Sequence, residues 1–165
     1  MAAMNIVLHQ PEIPQNTGNI GRTCAATGTR LHLIEPLGFQ LSEKALKRAG
    51  MDYWQEIDVT TYVNYEEFLE KNPGAKIYYA TTKGRRLYSD ASYEPDCYLM
   101  FGKESGGIPE EILKDNPDTC VRIPMLGQTR SLNLSNAAAI VLYEALRQNQ
   151  FLDMKLEGEL HRLHW

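Results

Sequence analysis

Short apolar runs alternate with amphipathic stretches along the whole chain, and polar or glycine-bearing loops separate them. NIVLH, Asn5 to His9, reads as a strand, and the stretch from Thr17 to Thr27 as a helix ended by Gly28. Arg30 to Ile34 is a second strand with EPLGF as its exit loop, and Ser42 starts a helix with Gly50 beyond its end. Gln55 to Thr60 is a third strand, and Tyr65 to Lys71 a helix stopped by Asn72-Pro73-Gly74. Lys76 to Thr81 and Tyr98 to Phe101 are apolar strands, Pro109 to Lys114 a short helix, and Thr119 to Ile123 the last strand. Ser135 to Gln148 is a long helix, apolar on nearly every face from Ala137 to Leu146. Such a helix is either sandwiched in the core or supports a subunit interface.

Strand and helix signals in alternation predict an α/β fold, a mostly parallel sheet flanked by helices. No repeat, low-complexity tract or linker interrupts the pattern, so 1–165 reads as a single domain, with 151–165 as a C-terminal tail. A chain of 165 residues can bury a real core. No apolar run approaches the roughly 20 residues that span a bilayer, and the N-terminus carries no basic stretch of a secretory signal. Cys24, Cys97 and Cys120 lie far apart, without a C-x-x-C pair, which predicts reduced thiols, a cytoplasmic setting and no zinc site. His9, His32, His161 and His164 lack metal-ligand spacing, so no metal is expected.

Net charge is −4, which argues against a generally basic nucleic-acid-binding domain. Local patches still permit phosphate contacts. Lys44, Lys47 and Arg48 read as a solvated helix face, whereas Lys83, Arg85 and Arg86 form a turn after a strand, where exposed function tends to lie. Arg22 with Arg130 is a third candidate.

Three loops carry the candidate chemistry. IVLHQPEIPQNTGNIGR, Ile6 to Arg22, runs from a strand through a proline-bounded turn into a helix. LMFGKESGGIP, Leu99 to Pro109, runs from a strand into a loop with Gly102, Gly106 and Gly107. IPMLGQTRSLNLSNAAAIVLYEAL, Ile123 to Leu146, places Arg130, Ser131, Asn133, Ser135 and Asn136 ahead of the long helix, as caps or as ligand contacts. In open α/β sheets ligands gather outside the strand carboxyl ends. The P-loop pattern fails, because Gly102-Lys103 is followed by Glu104 and Cys97 stands where the first glycine belongs. G-x-G-x-x-G is absent, and no Ser-His-Asp order points to hydrolysis.

QNTGNIGR, FGKESGGIP and IPMLGQTRSLNLSNAAAI resemble the three ordered motifs of the SPOUT RNA methyltransferases, from about Met4 to about Gln150. Gly21 departs from the bulkier aliphatic residue of many relatives, and the tail after Phe151 has no counterpart. The resemblance is strongest to the small members that methylate the 2'-oxygen of cytidine or uridine 34 of tRNA. It implies a deep C-terminal trefoil knot, S-adenosylmethionine as cofactor, a homodimer and the tRNA anticodon stem-loop as partner. It also implies a cofactor site at Ala80, Thr81, Gly102, Glu104, Gly107, Ile123, Met125, Ser131 and Leu132. Arg22, Glu104, Ser131 and Asn133 match the family's catalytic positions. The expected RNA contacts are Arg22, Lys83, Arg85, Arg86 and Arg130. Arg22 is expected to reach the partner's cofactor pocket. The first strand begins near Asn5, so no N-terminal RNA-binding domain of the kind many rRNA enzymes carry is expected. The alternatives are another tRNA or rRNA ribose, or a non-catalytic RNA-binding module of the same fold.

Overall fold

Every residue of β1, Asn5–His9, is buried, as expected of a central strand covered on both faces. In the computed structural model, which describes residues 2–48, 52–127 and 131–165, β1 lies between β2, Arg30–Ile34, and β5, Tyr98–Phe101. β3, Val59–Tyr62, β4, Ile77–Ala80, and β6, Cys120–Val121, complete a six-stranded sheet of order β3-β2-β1-β5-β4-β6. Every pair is parallel, so all strand carboxyl ends lie along one edge.

Alternating side chains build a core on each face. Ile6, Leu8, Leu31, Leu33, Leu99 and Phe101 face α1, Pro14–Thr27, and α5, Leu134–Gln148. Val7, Ile34, Tyr79 and Met100 pack on the other face with Phe68 of α3, Tyr65–Lys71, and Leu113 of α4, Glu110–Lys114. The remaining helix, α2, is Glu43–Arg48. The α/β architecture read from the sequence is the one observed.

Three elements differ by more than one residue. α1 begins at Pro14 rather than Thr17, because its first turn is held by a carboxylate from a distant loop, described below. β3 begins at Val59 rather than Gln55, and residues Asp52–Glu56 form a short 3-10 turn. Trp54 of that turn lies against Gly21, where a Cβ would meet the indole at 2.9 Å, so the missing side chain of α1 is the seat of the ring. β6 is only two residues long where a five-residue strand was expected. Gly50 falls outside the described residues. α5 does not bury all of its faces: Ala138, Val141, Leu142, Ala145 and Leu146 are inside, while Asn136, Ile140, Tyr143 and Arg147 form an exposed stripe.

A left-handed turn at Gln150, Phe151 and Leu152 ends α5, with the Phe151 amide donating to the Leu146 carbonyl. Phe151, Leu152 and Met154 rest on the first core; Leu156, Leu163 and Trp165 beyond them are exposed. Cys24, Cys97 and Cys120 are buried free thiols, and burial pushes Cys24 and Cys97 up to about 12. His32 is buried between Tyr62, whose hydroxyl is 2.8 Å from Nδ1, and Asn5, whose Oδ1 is 2.9 Å from Nε2. The Asn5 amide nitrogen donates to the carbonyls of Ala3 and Asp96, so Nε2 carries the ring proton and Nδ1 accepts from Tyr62. Burial lowers the His32 pKa to about 4. Among the described residues no helix is long and apolar enough to cross a membrane, and no group of His, Cys, Asp and Glu is arranged to hold a metal ion.

Candidate active site

The segments that leave β1, β4, β5 and β6 surround one cavity of about 460 Å³, together with the start of α5. That is the size class of a small-molecule or cofactor site. Ala80, Thr81, Gly102, Glu104, Gly107, Ile123, Met125, Ser131, Leu132 and Asn133 all line it, as does Lys83. Ile13, Phe101, Leu134 and Ala137 add apolar wall.

The glycines of the β5 exit loop act through two different constraints. A Cβ on Gly102 would stand 2.0 Å from the Gly107 carbonyl carbon and 2.1 Å from the Ile108 nitrogen, so two backbone segments touch there. Gly107 has open space but a φ of +68°, the left-handed region that favours glycine. Its amide donates to the Lys103 carbonyl at 2.8 Å and closes the loop. The result is a rim of main-chain groups facing the cavity without side chains in the way.

Glu104 is fully engaged. One carboxylate oxygen accepts from the Glu12 amide at 2.8 Å; the other accepts from the Ile13 amide at 3.1 Å and from Asn16 Nδ2 at 3.0 Å. Ile13 precedes α1 with no side-chain cap of its own, so Glu104 supplies that cap and places negative charge at the positive end of the helix. The tie is reciprocal, because the Glu12 carboxylate accepts from the Ser105 amide at 2.9 Å. Hydrogen bonding to Ser105 holds the Glu12 carboxyl below the usual carboxylate range.

Asn16 extends this clasp across the cavity. It is buried, and its Oδ1 accepts from Asn133 Nδ2 at 3.0 Å. Asn133 Oδ1 in turn accepts from the Ser135 and Asn136 amides, so Asn133 is the N-cap of α5. A line of hydrogen bonds thus joins the β5 loop, the start of α1 and the start of α5. Asn16 and Ile13 belong to the cavity and were not among the residues singled out from sequence. Their partners come from other loops, so no local spacing marks them.

Other expected site residues, Lys83 apart, lie outside the cavity. Arg22 does not line the cavity; it is exposed on α1, with its guanidinium carbon 6.0 Å from the centroid of the Tyr53 ring. The Tyr53 hydroxyl donates to the Gly18 carbonyl, which fixes the ring against the helix. Arg86 donates to the carbonyls of Asp118 and Asp90, and Lys83 pairs with Glu110 at 2.9 Å. Arg85 is exposed and makes no hydrogen bond or ion pair among the described residues. Arg122, not anticipated, donates to the carbonyls of Thr82 and Gly127 and ties the β4 and β6 exit segments together. Arg130 lies outside the described residues.

The chain is 51% identical over 146 residues to the tRNA (cytidine(34)-2'-O)-methyltransferase of Escherichia coli K12, covering 88% of this chain and 93% of that one. A structure solved for insight into 2-OH methylation of C/U34 on tRNA is similar at TM-score 0.84 and 47% identity, over 90% of this chain and 97% of that one. An AdoMet-bound rRNA methyltransferase from Sinorhizobium meliloti is similar at TM-score 0.77 and 28% identity, over 88% of this chain and 56% of that one. Residues 3–143 match the model of the SpoU rRNA Methylase family. That span takes in every loop around the cavity and the clasp that joins them, and the chain accordingly belongs to the SpoU rRNA Methylase family.

Proposed function

We propose that this protein transfers a methyl group from S-adenosylmethionine to the ribose 2'-oxygen of the wobble nucleotide, cytidine 34 or modified uridine 34, of tRNA. The reading is carried by one observation: the cavity at the strand ends is assembled from the very loops of a chain 51% identical to the Escherichia coli enzyme of that name.

The cavity suits the cofactor. Main-chain groups freed by Gly102 and Gly107 can read an adenine edge, and Ile123, Met125 and Leu132 give apolar contact beside them. Ala80, Thr81 and Ser131 complete the residues that would hold it. When bound, S-adenosylmethionine would supply a methyl group already activated by its sulfonium charge. The protein's own task is then to place the acceptor oxygen in line and to stabilise the charge it develops. Glu104 serves as a positioning residue, because its oxygens are occupied by α1 and Asn16. Asn133 likewise sets the start of α5 while presenting Ser131 and Leu132 to the cavity.

Arg22 supplies the positive charge from a second subunit. It lies six residues beyond Asn16 on α1, about 9 Å along the helix axis and on a different face. The exposed stripe of α5 with Ile140 and Tyr143 forms the homodimer contact. A guanidinium remains protonated and is a poor base, so Arg22 clamps the phosphate beside the acceptor ribose and stabilises the nascent oxyanion. Arg85 and Arg130 extend the contact to the anticodon stem-loop.

The test is methyl transfer to bulk tRNA and, separately, to rRNA, followed by nucleoside mass spectrometry of the product. A 2'-O-methylated nucleoside at position 34 is the expected result. Label confined to rRNA, or to another tRNA position, would move the substrate assignment; no transfer to any RNA would overturn the enzyme reading.

A further inference from the structure

A second concavity lies on the same edge of the sheet as the cofactor cavity and has no part in the site described. It is an open groove of about 690 Å³, lined from Glu35 to Ser42 by the segment after β2, with Phe39 and Leu41 as apolar wall and Glu35 as its one acidic side chain, and by Val63 after β3. Val63 is 64% exposed although it is apolar, and Phe39 is half-buried.

The groove is built onto the active-site layer. At Gly38 a Cβ would come within 2.6 Å of the Glu12 carbonyl oxygen, and the Gly38 amide donates to the Pro11 carbonyl at 2.9 Å. The segment that lines the groove therefore rests, at Gly38, on the segment that Glu104 clasps. Strands are spaced by about 4.8 Å, so the groove, over β2 and β3, is displaced by about 14 Å from the cavity, over β5 and β4. That is too far for the acceptor nucleotide itself and near enough for a neighbour on the same strand.

The aromatic wall and the cations of the helix at its rim indicate the occupant. Ser42 lines the groove and accepts from the Ala45 amide at 3.1 Å, so α2 springs directly from its rim. α2 carries Lys44, Lys47 and Arg48, all exposed, and none has an ion pair or side-chain hydrogen bond among the described residues. Three uncompensated cations stand out in a chain of net charge −4. An aromatic ring with apolar walls beside a row of cations is how proteins hold single-stranded nucleic acid, by stacking a base and tracking its phosphates. An acidic peptide would satisfy the cations but leave the aromatic pocket unused.

We infer that this groove receives an unstacked base of the RNA substrate, flanking the methylated nucleotide, with Phe39 stacking on it and Lys44 and Lys47 on adjacent phosphates. The inference rests on the RNA-methyltransferase reading above and names a further part of that substrate's contact.

The experiment uses the full chain and an anticodon stem-loop RNA carrying 2-aminopurine beside the acceptor nucleotide. Quenching on binding to wild type, and its loss with Phe39→Ala, are expected. Affinity for the RNA should fall about 5- to 150-fold in Phe39→Ala, the fold-change of one base–aromatic stack, and Phe39→Tyr should restore it. Val63→Glu, at an exposed wall that no core packing needs, should weaken RNA binding without lowering the melting temperature. Lys44→Gln with Lys47→Gln should flatten the salt dependence by about 1.4 in slope, two phosphates' worth on a single strand. Adenosylhomocysteine affinity should be unchanged in every variant. Wild-type-like RNA affinity in Phe39→Ala and Val63→Glu, with the wild type still methylating, would overturn the groove assignment alone. Loss of melting temperature and adenosylhomocysteine binding together with RNA binding in Phe39→Ala, with Val63→Glu neutral, would also overturn it. Failure of the wild type to bind or methylate any RNA would overturn the underlying reading too.

Discussion

Gly102 and Gly107 stand five residues apart in one loop, and the structure requires glycine at each for a different reason. Replacing Gly102 with alanine puts a carbon 2.0 to 2.5 Å from three backbone atoms of Gly107 and Ile108, whereas carbon atoms ordinarily rest about 3.5–4.0 Å apart. The obstacle is main chain, and Ile108 is anchored in the second core, so the loop must move by more than 1 Å. Overpacking costs about 1–3 kcal/mol where side chains can yield; here about 3 kcal/mol or more is expected. At about 2–4 °C per kcal/mol for a domain of this size, the melting temperature should fall by about 6–12 °C. The same displacement carries Glu104 off the amides of Glu12 and Ile13, so adenosylhomocysteine affinity should fall at least tenfold. Gly107→Ala meets nothing within 4 Å and incurs only the left-handed φ, about 1–2 kcal/mol or a few degrees. Thermal unfolding and titration calorimetry of both variants decide the matter. If Gly102→Ala binds and melts like wild type, or if Gly107→Ala is the worse of the two, the steric argument for the loop is wrong.

Three further expectations concern the site and the core. Arg22→Ala should abolish methyl transfer while retaining adenosylhomocysteine binding, and mixing it with Asn133→Ala under subunit exchange should restore roughly a quarter of wild-type activity, one intact composite site in half of the dimers. No recovery after demonstrated exchange would mean that each subunit carries a complete site. In the basic turn, Arg85→Ala should lower the salt dependence of tRNA binding with little effect on stability, whereas Arg86→Ala should lower the melting temperature because it frees two main-chain carbonyls; the reverse pattern would refute this division. His32 is held neutral with a folded pKa near 4 against 6.5 unfolded, so the unfolded chain binds the extra proton between these values. Its contribution is whole above pH 6.5 and is lost as pH falls toward 4, about 3 kcal/mol in all. Urea denaturation at pH 7 and pH 4.5 should show this loss in wild type and a smaller one in His32→Gln; equal losses would exclude His32 as the cause.

β1, β2, β5 and α3 are legible in the sequence to the residue, because each is a continuous apolar run or a capped amphipathic turn bounded by punctuation such as Gly28 or Asn72-Pro73-Gly74. The three loops were legible because strand-exit glycines and a polar helix start are local signals. What failed depends on contacts between distant segments. The first turn of α1 takes its cap from Glu104, and the stretch before β3 coils to put Trp54 against Gly21. Asn16 is visible only as one polar residue among several until Glu104 and Asn133 close on either side of it. The threading of a knot has no periodicity to betray it, and only the family resemblance implied it. Arg86 looked like its neighbours Lys83 and Arg85, since nothing in a basic run distinguishes a cation bound to carbonyls from one that faces solvent.

The three buried thiols give the protein an internal clock. Cys24 lies on α1 within the first core, Cys97 just ahead of β5, and Cys120 on β6 within the second core, so they sample both faces of the sheet and its edge. Burial keeps each of them in the thiol form at neutral pH, and only the thiolate reacts with alkylating agents. Modification therefore waits for the fold to open, and its rate times that opening. A two-residue edge strand has little to hold it, so Cys120 should react first, through local fraying of β6. Cys24 and Cys97 should react together and far more slowly, at the pace at which the centre of the sheet comes apart.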